Sequence, residues 1–62
     1  MMRVVFFDKR KETYHSVGGA TTVQVASIKC NGRYTKCWLV DFADGGNRSY
    51  KCKDFDLYKI EI

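Results

Sequence analysis

The chain has 62 residues, no proline and a formal net charge of +4 at pH 7. This length predicts one small domain over residues 1–62 that buries only about 60% of the surface its unfolded chain exposes. The hydrophobic content of 45% and aromatic content of 15% exclude a disordered segment. The apolar run at residues 1–7 is too short for a membrane span or a secretory signal.

Period-two alternation of apolar residues and the positions of turn-forming residues predict an all-β chain. Six strands are predicted, at residues 3–8, 12–17, 21–30, 33–43, 47–52 and 58–62. The predicted connections are a basic turn at 9–11, a Gly18-Gly19 break, an Asn31-Gly32 hairpin turn, an Asp44-Gly45-Gly46 turn and a short turn at 54–56. No segment carries a helical period over more than one turn.

The turns also predict which residues face each other. Asn-Gly favours a two-residue loop, because a type I′ turn needs positive φ at both central positions. That loop pairs Val25 with Trp38, and a three-residue loop over 44–46 pairs Val40 with Tyr50. Both registers place one set of side chains on a single face, as the predicted core: Val23, Val25, Trp38, Val40, Phe42, Tyr50 and Cys52.

The opposite face of the third and fourth predicted strands is also apolar. It carries Ala26, Ile28, Cys37 and Leu39. Two interpretations stay open. Either the sheet curls strongly enough to cover both faces in part, or this second set is the self-association surface of a homodimer.

Six short strands with tight turns predict a meander that closes into a small SH3-like barrel. Closure would pair the first strand with the last and remove exposed strand edges. The alternative is an open meander that dimerises through its second apolar face. A pattern repeated at an interval of thirty-six residues supports two similar hairpins, whether or not it records a duplication. Its members are Val4, Phe6, Asp8 and Tyr14, which recur as Val40, Phe42, Asp44 and Tyr50.

No catalytic or cofactor motif is visible, so the chain is predicted not to be an enzyme. The single histidine, His15, is more typical of a structural position than of a base. Three cysteines spaced as Cys30, Cys37 and Cys52 lack the close pairs of a zinc site, and no metal is predicted. Reduced thiols and no signal favour a cytoplasmic protein.

Cationic residues collect at the predicted turns. The candidate binding residues are Lys9, Arg10, Lys11, Arg33, Tyr34, Lys36 and Arg48. Tyr14, Tyr34 and Tyr58 are the aromatics expected to be exposed. Cations near exposed rings suit nucleic acid or a nucleotide, because charge binds phosphate and rings stack on bases. The same charges suit an acidic protein surface.

The two strand-turn-strand units are Val-Val-Phe-Phe-Asp-Lys-Arg-Lys-Glu-Thr-Tyr and Val-Asp-Phe-Ala-Asp-Gly-Gly-Asn-Arg-Ser-Tyr. With the ending Asp-Phe-Asp-Leu-Tyr-Lys-Ile, they resemble the small all-β proteins of bacteriophages and mobile elements. The resemblance implies a non-enzymatic inhibitor that binds a host protein stoichiometrically, including anti-defence inhibitors, or that sequesters a nucleotide signal. The alternative is direct binding of nucleic acid or a nucleotide through the basic turns and exposed tyrosines.

Overall fold

The computed structural model describes all 62 residues and contains five β-strands and no helix. The strands are β1 (Met2–Asp8), β2 (Thr13–Cys30), β3 (Arg33–Phe42), β4 (Asn47–Lys51) and β5 (Phe55–Glu61). All neighbours are antiparallel, in the order β4-β3-β2-β1-β5. The all-β prediction is confirmed, and no helix capable of spanning a membrane is present.

One long strand replaces the second and third predicted strands, so the prediction of six strands is wrong. β2 continues through Gly18-Gly19, and its register with β1 shifts there as a bulge. Gly19 has a φ of 75°, a backbone conformation that residues other than glycine avoid. Ala20 then lies opposite Met2 on one side and Phe42 on the other. A Gly-Gly pair suits such a bulge as well as it suits a turn.

The sheet is curled but open, unlike the closed SH3-like barrel that was predicted. The first and last strands do pair, as expected. However, β1 lies inside the sheet, between β2 and β5, and therefore β4 and β5 remain as free edges. Curling brings β3 to β5 across the concave face, where the Trp38 indole Nε1–H donates to the Phe55 carbonyl oxygen at 3.1 Å.

The core lies on this concave face and centres on Phe6. The Phe6 ring is fully buried, with ring centroids of Tyr50, Phe55 and Trp38 at 4.7, 6.1 and 6.4 Å. The core cluster is Val4, Phe6, Val17, Ala20, Val40 and Tyr50. Only 8 of 62 residues are buried, because the chain is a single curved layer with Cα dimensions of 35 × 29 × 13 Å.

The predicted register of the β2–β3 hairpin is confirmed. Asn31 and Gly32 have φ values of 53° and 78°, as a type I′ turn requires, and Val25 lies opposite Trp38. Val25 is nevertheless 45% exposed and does not belong to the core. It lies where the hairpin begins to leave the sheet, so no other strand covers it.

The register of the β3–β4 hairpin differs from the predicted one by two residues. Val40 lies opposite Arg48 rather than Tyr50. The Asp44 carboxylate accepts the Gly46 N–H at 2.8 Å, and Gly45 takes a φ of 91°. The loop is therefore one residue earlier than predicted, and the Phe42 N–H donates to the Gly46 carbonyl oxygen at 2.8 Å. A two-residue shift keeps every side chain on its predicted face.

The start of β5 also differs from the prediction. The turn before it covers residues 52–54, with the Asp54 N–H donating to the Lys51 carbonyl oxygen at 3.0 Å. β5 therefore begins at Phe55, and residues 55 and 56 of the predicted turn at 54–56 belong to the strand. The reason is tertiary: Phe55 packs against Phe6 and accepts the Trp38 hydrogen bond.

The two copies of the repeated pattern share their turn chemistry but not their geometry. Asp8 accepts the N–H groups of Arg10 and Lys11 at 2.9 and 3.2 Å, as Asp44 does for its own turn. The tyrosines differ, however. Tyr14 lies opposite Phe7 and is 60% exposed, whereas Tyr50 is buried in the core.

Candidate functional site

The tip of the β2–β3 hairpin extends beyond the rest of the sheet. β1 pairs with β2 only as far as Ala20, and the last β4 residue lies opposite Cys37. Residues 27–36, which we call the arm, therefore form a two-stranded ribbon. Its single backbone hydrogen bond to the sheet outside the hairpin is from the Cys52 N–H to the Lys36 carbonyl oxygen at 3.0 Å. At about 3.3 Å per residue, its four ladder pairs extend for about 13 Å.

The arm carries positive charge and an exposed ring. Lys29, Arg33 and Lys36 are all exposed, and Tyr34 is 74% exposed. Lys29 lies opposite Tyr34 in the ladder, with its Nζ 5.9 Å from the ring centroid. No carboxylate occurs in residues 22–40 or 45–53. The β2–β3 hairpin and β4 therefore form a continuous part of the sheet in which nearly all charges are positive. Its two carboxylates, Asp41 and Asp44, lie at the end away from the arm.

These cations are also unpaired. The two ion pairs of the structure join Lys9 to Asp56 at 3.3 Å and Lys59 to Glu61 at 3.8 Å. Neither involves a residue of the arm or of β4. Several carboxylates instead serve the fold, since Asp8 and Asp44 bond turn N–H groups and Asp41 accepts the Thr22 hydroxyl at 2.7 Å.

The basic turn at 9–11 has a different environment. Its three cations lie among the carboxylates of Asp8, Glu12, Asp54 and Asp56. Lys9 is further held by its bond to the Cys52 carbonyl oxygen at 3.3 Å. Neighbouring carboxylates reduce the field that a polyanion would meet. The basic turn at 9–11 therefore presents a weaker positive field to a polyanion than the arm does.

The remaining predicted binding residue, Arg48, lies apart from the arm. It is at the other end of β4, opposite Val40, and lines a cleft together with the first half of β2. Of the seven predicted binding residues, the structure brings Arg33, Tyr34 and Lys36 together on one ribbon. It places the turn at 9–11 and Arg48 elsewhere on the sheet.

The three tyrosines expected to be exposed are exposed, but they do not form one surface. Tyr14 and Tyr58 are 60% and 56% exposed, with ring centroids 4.8 Å apart. They lie with Phe7 at the β1 and β5 side of the sheet. Only Tyr34 belongs to the arm.

The second apolar face is largely covered. Cys37 is 4% exposed, and Ala26, Ile28 and Leu39 are half-buried. The three cysteines are free thiols in different environments: Cys30 exposed at the tip of the arm, Cys37 buried and Cys52 half-buried. No group of three histidine, cysteine or carboxylate side chains is close enough to hold a metal ion.

Two residues of interest were not among the candidates taken from sequence. Lys29 follows from the Asn31-Gly32 register, which places it opposite Tyr34. His15 had no usable signal, because its position in the cleft that Arg48 also lines depends on the bend of β2 and the curl of the sheet.

Comparison of the chain with protein-family models, with curated proteins and with solved structures finds no match.

Proposed function

We propose that this protein is a non-enzymatic module that binds nucleic acid through its arm. The observation that carries the proposal is the arm itself, a projecting ribbon with three unpaired cations, one exposed tyrosine and no carboxylate. Each cation that contacts a phosphate releases condensed counterions, which supplies most of the affinity of such contacts.

The shape of the arm supports the same proposal. Strands in a ribbon lie about 4.8 Å apart, and the major groove of B-form DNA, about 12 Å wide, admits a two-stranded ribbon. The arm extends far enough from the sheet to enter a groove without contact from the remaining strands. Tyr34 supplies a face on which an unpaired base stacks, so single-stranded nucleic acid is a ligand as well.

The proposal is tested by fluorescence anisotropy with single- and double-stranded oligonucleotides over a range of salt. The arm variant is Lys29→Gln, Arg33→Gln and Lys36→Gln together. A matched control is Lys9→Gln, Arg10→Gln and Lys11→Gln, which removes the same charge from the basic turn. The slope of log affinity against log salt is expected to fall by about three in the arm variant, and far less in the control.

Equal losses in the two variants would show that net charge, rather than the arm, governs binding. No binding of either oligonucleotide by the wild-type protein would reject the proposal.

A second candidate function is stoichiometric binding of a host protein with an acidic surface, as in phage-type inhibitors. The free backbone edges of the arm favour it, because an extended segment of a partner can add to such an edge. This candidate predicts no response to oligonucleotides and a partner complex weakened by the arm variant. In both cases we place the protein in the cytoplasm, where its three free thiols stay reduced.

A further inference from the structure

A polar cleft lies at the other end of β3 from the arm. One wall is formed by residues 15–19 of β2, and the other by residues 42–44 and 46–48 around the β3–β4 turn. The cleft is open to solvent and has a volume of about 610 Å³. Gly18 and Gly19 leave the β2 wall open, since a Cβ at either position would meet no atom within 4 Å.

The charged side chains that line this cleft are one carboxylate, Asp44, and one cation, Arg48, which is the group able to bind an anion. Arg48 is exposed and forms no ion pair. Asp44 is the one carboxylate residue there, and its Oδ1 accepts the Gly46 N–H at 2.8 Å. An arginine guanidinium binds phosphate through paired hydrogen bonds, which gives it an advantage over other cations at such a site.

An aromatic platform stands in the same cleft. The His15 ring is exposed and rests on the core rings of Tyr50 and Phe55, with centroids 5.5 and 6.2 Å away. The His15 plane is tilted by 54° and 58° to these two rings, and the contact limits the positions that the imidazole can take while the residue stays exposed to a planar ligand. Nucleobases stack on rings of this kind.

We propose that the cleft binds a small molecule with a phosphate beside a flat ring, of the class of nucleoside monophosphates. Arg48 binds the phosphate and the His15 ring stacks on the base. This site is separate from the arm and does not depend on the function proposed for it.

The test is an NMR titration of ¹⁵N-labelled, reduced protein with AMP, GMP, CMP and UMP, compared with adenosine and with inorganic phosphate. We expect saturable shifts at His15, Gly18, Gly19 and Arg48 with at least one monophosphate, and weaker binding of adenosine and of phosphate. Arg48→Gln is expected to weaken binding about tenfold, or ~1.4 kcal/mol. His15→Ala should weaken the monophosphate but leave phosphate binding unchanged.

Arg33→Gln is the matched control, because it removes an equal charge from the arm and should leave the cleft titration unchanged. Arg48 and His15 are exposed, and retained spectral dispersion verifies that their variants fold. No saturable shift with any monophosphate, or shifts confined to the arm, overturns the proposal. Equal affinity for phosphate and for the monophosphates also overturns it, because the ring would then contribute nothing.

Discussion

The hydroxyl of Tyr50 lies inside the core without a hydrogen-bond partner. Its ring packs between Phe6 and Phe55, at 4.7 and 5.2 Å between centroids. A buried hydroxyl without a partner costs about 1–3 kcal/mol. Tyr50→Phe keeps the ring and removes that cost, and we expect it to raise the free energy of unfolding by about 1 kcal/mol.

Urea denaturation followed by tryptophan fluorescence of Trp38 measures this change. Tyr14→Phe is the control, because that hydroxyl is on an exposed residue and its loss should be nearly neutral. A destabilised Tyr50→Phe protein would show that the hydroxyl has a partner in solution and would contradict the prediction.

Glu12 holds a strained backbone conformation at the end of the basic turn. Its φ is 55°, in the left-handed region that costs a residue with a Cβ about 1–2 kcal/mol. Glu12→Gly relieves that strain, although glycine also gains freedom in the unfolded chain. We expect a net stabilisation of about 0.5–1 kcal/mol, measured by thermal denaturation.

Glu12→Ala is the matched control, since it removes the same carboxylate but retains a Cβ at positive φ. It should give no comparable gain. Equal stabilisation by glycine and alanine would mean that the carboxylate, not the backbone, is unfavourable at this position.

Among the elements, the arm contributes charge rather than core. Deletion of Lys29, Cys30, Arg33 and Tyr34 removes two ladder pairs and leaves Ile28 opposite Thr35 beside the Asn31-Gly32 turn. Residue pairs in an antiparallel ladder alternate between hydrogen-bonded and non-hydrogen-bonded pairs. Removal of two pairs therefore leaves the Asn31-Gly32 turn flanked by the same kind of pair as before. We expect a loss of stability below about 1 kcal/mol, as for other exposed changes, and much weaker binding of oligonucleotides.

Circular dichroism melting and the anisotropy titration measure the two effects. Deletion of Cys30 and Arg33 alone removes one pair, so the turn is then flanked by the other kind of pair. This shorter deletion should destabilise the hairpin more than the longer deletion does. If the two-pair deletion unfolded the protein, the arm would be part of the folding unit and this view of it would be wrong.

At the scale of the whole molecule, the chain is one curved layer with one core face. The other face, with Cys37 buried and Ala26, Ile28 and Leu39 half-buried, has little apolar area left to remove from water. Stable dimer interfaces bury about 1,200 Å² or more in total. We therefore expect a monomer, measured by size-exclusion chromatography with light scattering on reduced protein.

The substitution Leu39→Glu tests directly whether the second apolar face is a dimer interface. A wild-type dimer that this substitution converts to a monomer would contradict the prediction and assign the face to self-association. The matched variant Val25→Glu changes an exposed apolar residue on the concave side of the hairpin and should leave the mass unchanged in either case.

The sequence by itself determined the all-β class, the Asn31-Gly32 turn and the register of the hairpin that it closes. These depend on local chemistry: period-two alternation, and a turn type that needs two residues at positive φ. The burial of Tyr50 also followed from that alternation. The exposure of Tyr34 did not, because Tyr34 lies on the same face of β3 as Trp38 and is exposed since the arm extends beyond the rest of the sheet.

The tertiary structure decided what local chemistry leaves ambiguous. Gly18-Gly19 could turn the chain or bend it, and the bend prevails because both halves of β2 must face the core around Phe6. Phe55 joins β5 rather than a turn because Trp38 reaches it across the curl. The separation of the basic turn from the arm likewise depends on strand order and curvature, and so does the cleft that His15 and Arg48 both line. Spacing along the chain contains neither.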